Sequence, residues 1–87
     1  MKLDTRLCNS AKRTLEVLDN ILPGLPIQTA LDEAENLTGK KIAPADRDYL
    51  VAVMEQEGWI DHRVCKITGR IIHFITEAGR TVYITLA

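Results

Sequence analysis

The sequence predicts an α+β domain in which three helices precede a three-stranded antiparallel meander. Three observations carry this expectation. Apolar residues recur at helical spacings of three and four up to Gly58, and at the strand spacing of two beyond Trp59. Prolines and glycines stand where the helical pattern breaks, at Pro23-Gly24, Gly39, Pro44 and Gly58. Two glycines of the last third sit in matching contexts, Ile67-Thr68-Gly69 and Glu77-Ala78-Gly79, each fitting a three-residue hairpin loop.

The first helix is expected over residues 4–22, where Leu7, Ala11, Leu15, Leu18 and Leu22 share one face. Pro23 and Pro26 end it, since neither donates a helical hydrogen bond. Leu25 between them suits a short strand-like bridge. The second helix, residues 27–38, sets Ile27, Ala30, Leu31, Ala34 and Leu37 against Asp32, Glu33 and Glu35, with Gly39 as its C-cap. Only a few residues then separate it from the third helix, so the two must meet as a helix-turn-helix pair.

That third helix, residues 44–57, has the clearest ends. Pro44 fits the first helical position, where a missing N–H costs nothing, and Asp46 and Asp48 favour the positive end of the dipole. Gly58 can adopt the left-handed conformation of a Schellman cap, with Trp59 folding back on the last turn.

Strands follow at residues 60–67, 70–76 and 80–86. Pairing Lys66 with Arg70 sets Val64 against Ile72 and His62 against Phe74, and the second loop then sets Phe74 against Val82 and Ile72 against Ile84. Val64, Ile72, Phe74, Val82, Ile84 and Leu86 would face the helices, leaving Arg63, Cys65, Ile71, His73, Ile75, Thr81, Tyr83 and Thr85 outside.

Several local stretches resemble the winged helix-turn-helix domain of bacterial transcriptional regulators, over residues 10–80. Pro26-Ile27-Gln28-Thr29-Ala30-Leu31 is similar to the family's entry into helix two. Residues 50–60 are similar to its helix three closing in Glu-Gly-hydrophobic-Ile, and Ile75-Thr76-Glu77-Ala78-Gly79-Arg80 to the Thr-Glu-x-Gly segment after the wing in MarR-like proteins. The chain is expected to depart from that pattern at its end. MarR-like proteins continue into a long dimer helix, whereas Thr81-Val82-Tyr83-Ile84-Thr85 is β-branched, aromatic and alternating.

The resemblance implies a small DNA-binding regulator whose helix three enters the major groove while its wing reaches the backbone. By position, the DNA contacts would be Lys40, Lys41 and Arg47 near helix three, with Lys66 and Arg70 at the wing tip. Asp46, Asp48 and Glu55 oppose that reading, because phosphates repel them. The alternative is a protein-protein interaction module, with a second copy of the chain or another protein as its partner, using Val51 on helix three or Ile71, Ile75 and Tyr83 on the outer sheet face.

Composition narrows the remaining classes. A 46% hydrophobic and 26% charged chain is that of a folded domain rather than a disordered one. Net charge is −1, yet the part before Gly58 carries −3 and the part from Gly58 onward +2, so the basic character is C-terminal. Cys8 and Cys65 stand in no paired motif and read as thiols of a reducing compartment. With no signal-like apolar stretch and no apolar run of membrane-spanning length, the expected address is the cytoplasm, without membrane attachment. No enzyme, cofactor or small-molecule substrate is expected. His62, Cys65 and His73 lack the paired spacings of zinc ligands, and the proposed register puts His62 on the face opposite the other two, so no metal is expected either.

Overall fold

The computed structural model describes residues 3–85. After a single 3-10 turn at Thr5–Leu7 come α1 (Cys8–Asn20), α2 (Ile27–Thr38), α3 (Pro44–Gln56), β1 (Ile60–Val64), β2 (Ile71–Ile75) and α4 (Glu77–Thr85). The architecture is α+β, with a two-stranded antiparallel sheet among the described residues. No helix there is long and apolar enough to cross a membrane.

The first helix is shorter than the expected 4–22, with a 3-10 turn before Cys8 and its last residue at Asn20, and local chemistry sets the ends of α2 and α3. Gly39 closes α2 in the left-handed conformation at φ 72°. Pro44 opens α3, and at its far end Trp59 donates to the Met54 carbonyl while Gly58 donates to that of Glu55. Those two bonds make a Schellman motif. Leu15, Leu18, Leu31, Leu50 and Met54 are fully buried in one core, with Ala11, Ala30 and Ala34 among them and the half-buried Trp59 packed against it.

Leu25 does form the expected bridge. It exchanges both backbone hydrogen bonds with His73, at 3.0 and 2.7 Å, so β2 has β1 on one side and Leu25 on the other. Gly24 makes that approach possible, since its φ is 134° and a Cβ there would lie 2.2 Å from the His73 carbonyl oxygen.

The hairpin differs from expectation by one residue. Cys65, rather than Lys66, donates to the Arg70 carbonyl, so the loop holds four residues, 66–69, with Gly69 left-handed. The register becomes His62↔His73 and Val64↔Ile71 in place of His62 with Phe74 and Val64 with Ile72. A one-residue slip changes which side chains share a face, although Ile72 is buried and Ile71 exposed as expected. Ile75, expected outside, is buried in the core beside its partner Ile60, while Phe74, expected inside, is half-exposed beneath the Arg63 guanidinium. His73, also expected outside, is buried, whereas Val64 is exposed.

The third strand is a helix. Thr76 caps it by accepting from the Gly79 amide at 3.1 Å, and its hydroxyl donates to the Gly58 carbonyl. Gly79 is helical rather than the left-handed residue of a loop, and it packs so closely that an added Cβ would lie 2.1 Å from the Trp59 carbonyl oxygen. The strand preference of this segment yields to tertiary contacts. Thr81 and Thr85 return their hydroxyls to the carbonyls of Glu77 and Val82, and Arg80 and Tyr83, three apart on one face, both reach Asp19 of α1 at 2.7 Å. Leu86, assigned to the expected sheet face, lies outside the described residues.

Candidate functional site

The short α2–α3 connection is held by two side chains of opposite charge. Glu35 accepts from the Ile42 amide at 2.6 Å, and Arg47 donates through Nε to the Ile42 carbonyl at 3.2 Å. The two also pair with each other at 3.1 Å, and their side chains are only 13% and 15% exposed. Arg47 further binds Asp32 at 2.7 Å and the Gln28 amide oxygen at 2.8 Å. The Ile42 hydrogen bond, reinforced by Arg47, holds the Glu35 carboxyl below its ordinary range. Arg47 is therefore a brace across the helix pair, its donors already engaged. Lys40 and Lys41, by contrast, are exposed on the connection, with no ion pair to a described carboxylate.

Of the three acidic residues of α3, Asp46 is neutralised from within. Asp46 receives a two-pronged bond from Arg6, at 3.0 and 2.8 Å, which holds its carboxyl below the usual range. Glu55 faces two imidazoles, described below, and Asp48 is exposed without an ion pair among the described residues. Val51, expected on the outer surface of this helix, is half-buried and packs against the core.

At the hairpin tip Lys66 and Arg70 are exposed, and no described carboxylate pairs with either. The slipped register means they are no longer directly opposed, since Cys65 takes the position across from Arg70. Arg63, which the sequence reading did not select, adds a third exposed cation 5.5 Å above the Phe74 ring. Val64, Ile67 and Ile71 are exposed on the same hairpin, at 60%, 94% and 56%. Of the expected interface residues, Ile71 is thus at the surface and Ile75 is not. Tyr83 is half-buried on α4, its hydroxyl donating to Asp19.

One further cluster comes from the register. His62 and His73, cross-strand partners, have ring centroids 5.5 Å apart, and the Glu55 carboxylate from α3 reaches both. Its Oε2 lies 3.3 Å from His62 Nδ1 and its Oε1 3.8 Å from His73 Nε2. Burial pushes the His73 imidazole below its ordinary value, partly offset by Glu55, so the ring favours its neutral form. Cys65, expected beside His73, lies instead near the loop.

Compared with known proteins, the chain matches no family model, no curated protein and no solved structure.

Proposed function

We propose that this chain is a winged helix-turn-helix module that contacts duplex DNA through the neighbourhood of α3 and through the hairpin as its wing. Support comes first from the order of elements, a helix, a one-residue bridge, a closely joined helix pair, a hairpin and a closing helix. The closing helix follows Thr76-Glu77-Ala78-Gly79, so the end of the chain runs closer to the MarR-like pattern than its strand-like composition suggests.

The observation that carries the reading is the distribution of satisfied charge. Arg6, Arg13, Arg47 and Arg80 in the helical body are paired with carboxylates and Lys12 on α1 is not, whereas Lys40, Lys41, Arg63, Lys66 and Arg70 are all exposed without ion pairs among the described residues. Unpaired cations on a loop and a hairpin are the groups that release counterions from phosphate. Arg47 serves this surface by fixing α3 against α2.

The test is fluorescence anisotropy of a mixed pool of labelled duplexes at about 50 and 200 mM salt, the range in which phosphate contacts weaken steeply. Lys66→Ala with Arg70→Ala should lower the slope of log affinity against log salt by about 2, one unit per lost phosphate contact. No anisotropy rise at any protein concentration, or a rise indifferent to the double variant, sinks the proposal.

A second reading, a protein-interaction module, is favoured by the apolar hairpin surface of Val64, Ile67 and Ile71. It predicts self-association or partner binding that Ile67→Asp abolishes and salt leaves nearly unchanged, measured by sedimentation velocity.

A further inference from the structure

Three metal-compatible side chains converge where α3 ends and the hairpin begins. Glu55 stands in the last turn of α3, His62 in the middle of β1 and His73 in the middle of β2. One potential ligand atom from each lies within 4.8 Å of the others. We infer that Glu55, His62 and His73 form a binding site for a single divalent first-row transition cation of the zinc class.

Binding requires the three side chains to close on the ion, since their ligand atoms are spread over as much as 4.8 Å. Around a tetrahedral zinc, with bonds of about 2.0–2.1 Å, neighbouring ligand atoms stand about 3.3 Å apart. The carboxylate already holds 3.3 Å to His62 Nδ1 and 3.8 Å to His73 Nε2. Two imidazoles and one carboxylate form a donor set that zinc and its neighbours in the first row accept. Glu55 and His62 are exposed, so a cation can enter from solvent and water can complete its coordination.

A second observation comes from His73 itself. It is buried, its Nδ1 has no hydrogen-bond partner, and its Nε2 lies 3.8 Å from the nearest Glu55 oxygen, beyond hydrogen-bonding length. Buried polar groups are normally satisfied. An ion pair between Glu55 and His62 leaves this imidazole with only the 3.8 Å approach of Glu55 Oε1 at its Nε2. A cation at the centre gives Nε2 a coordinate bond and leaves Nδ1 as it is. Its position is fixed by backbone, because His73 exchanges hydrogen bonds with Leu25 on one side and pairs with His62 on the other. A metal there clips the C-terminal turn of α3 to both strands of the hairpin.

The experiment is calorimetric titration of chelator-treated, full-length protein with Zn2+ in a non-coordinating buffer, repeated with Co2+ while the visible spectrum is recorded. The expected result is one ion per chain, Co2+ absorption of low-coordinate type, and a higher melting temperature with Zn2+ present. Glu55→Gln and His62→Ala, both at exposed positions, should each weaken binding at least about tenfold and remove the melting shift. His73→Asn should do the same, and if it fails to fold the two exposed variants still decide the matter. The variant with Cys8→Ser and Cys65→Ser should bind as the parent does. Absence of stoichiometric binding, binding unchanged in Glu55→Gln and His62→Ala, or binding lost with the cysteines would each overturn the assignment. The titration contains no DNA, so its failure is separate from failure of the proposed function.

Discussion

The helical body and the hairpin handle charge and apolar surface in opposite ways. In the body, Arg47 is surrounded by Asp32, Glu35 and Gln28, and Leu15, Leu18, Leu31, Leu50 and Met54 are fully buried. On the hairpin, Arg63, Lys66 and Arg70 lack carboxylate partners among the described residues, and Ile67 is 94% exposed at the tip. Stability and surface chemistry are therefore separated along the chain. Substitutions in the body should act on folding, and those on the hairpin should act on whatever it touches.

The largest expected effect sets the two regions side by side. Leu31→Ala removes a fully buried side chain from the core and should cost about 2–5 kcal/mol in urea unfolding. Ile67→Ala should stay within about 0.5 kcal/mol, as expected for a surface position. A large loss at Ile67 would mean that the hairpin tip is buried in an assembly, which would strengthen the protein-interaction reading.

Next comes Gly79→Ala. In an ordinary helix interior this change is favourable by about 0.5–1 kcal/mol. Here the new Cβ meets the Trp59 carbonyl, so the sign should reverse and the cost should be about 2 kcal/mol. Gly69→Ala has open space around it and loses instead through its left-handed backbone, about 1–2 kcal/mol. Urea midpoints of the two variants separate a steric cause from a conformational one. A stabilised Gly79→Ala protein would show that α4 does not dock against Trp59.

The same contrast explains what was readable from sequence. Helix ends were legible because their causes are local: Gly58 and Trp59 complete a Schellman motif with carbonyls three and five positions back, and Pro44 needs only its own ring. The hairpin register was not, because it turned on whether Lys66 belongs to the strand or to the loop. Two trial registers agreed with each other only because both assumed the same wrong loop length and a third strand. The slip also hid the cluster of Glu55, His62 and His73, since it placed Phe74 where His73 stands. The α4 segment carried two signals that strand propensity outweighed: Thr76 three residues before Gly79, suited to an N-cap, and Arg80 with Tyr83 at helical spacing.

A smaller effect is expected when cations of the two regions are exchanged for alanine. Arg47→Ala leaves the Ile42 carbonyl without its side-chain donor and removes the cation from Asp32 and Glu35, costing about 1–2 kcal/mol. Lys66→Ala with Arg70→Ala should leave urea stability within about 0.5 kcal/mol while changing DNA affinity. If Arg47→Ala abolishes DNA binding without any loss of stability, its guanidinium contacts phosphate directly and is not a brace.

The smallest effect tests on which side of the contrast α4 falls. Asp19 on α1 accepts from the Tyr83 hydroxyl and from Arg80, and those bonds hold its carboxyl below the ordinary range. A carboxyl whose folded pKa is depressed contributes stability that is fully present above its unfolded value, about 3.9, and is lost as pH falls through the folded value. Asp19→Asn should therefore cost about 1 kcal/mol at pH 6, modest because the carboxylate is about a quarter exposed. The difference between parent and variant should shrink steadily below pH 4, followed by urea unfolding at each pH. A difference that persists unchanged at pH 2 would mean that the carboxylate charge does not hold α4. The closing helix would then depend on the Thr76 cap and on the packing of Gly79 and Tyr83, with no electrostatic tie to α1.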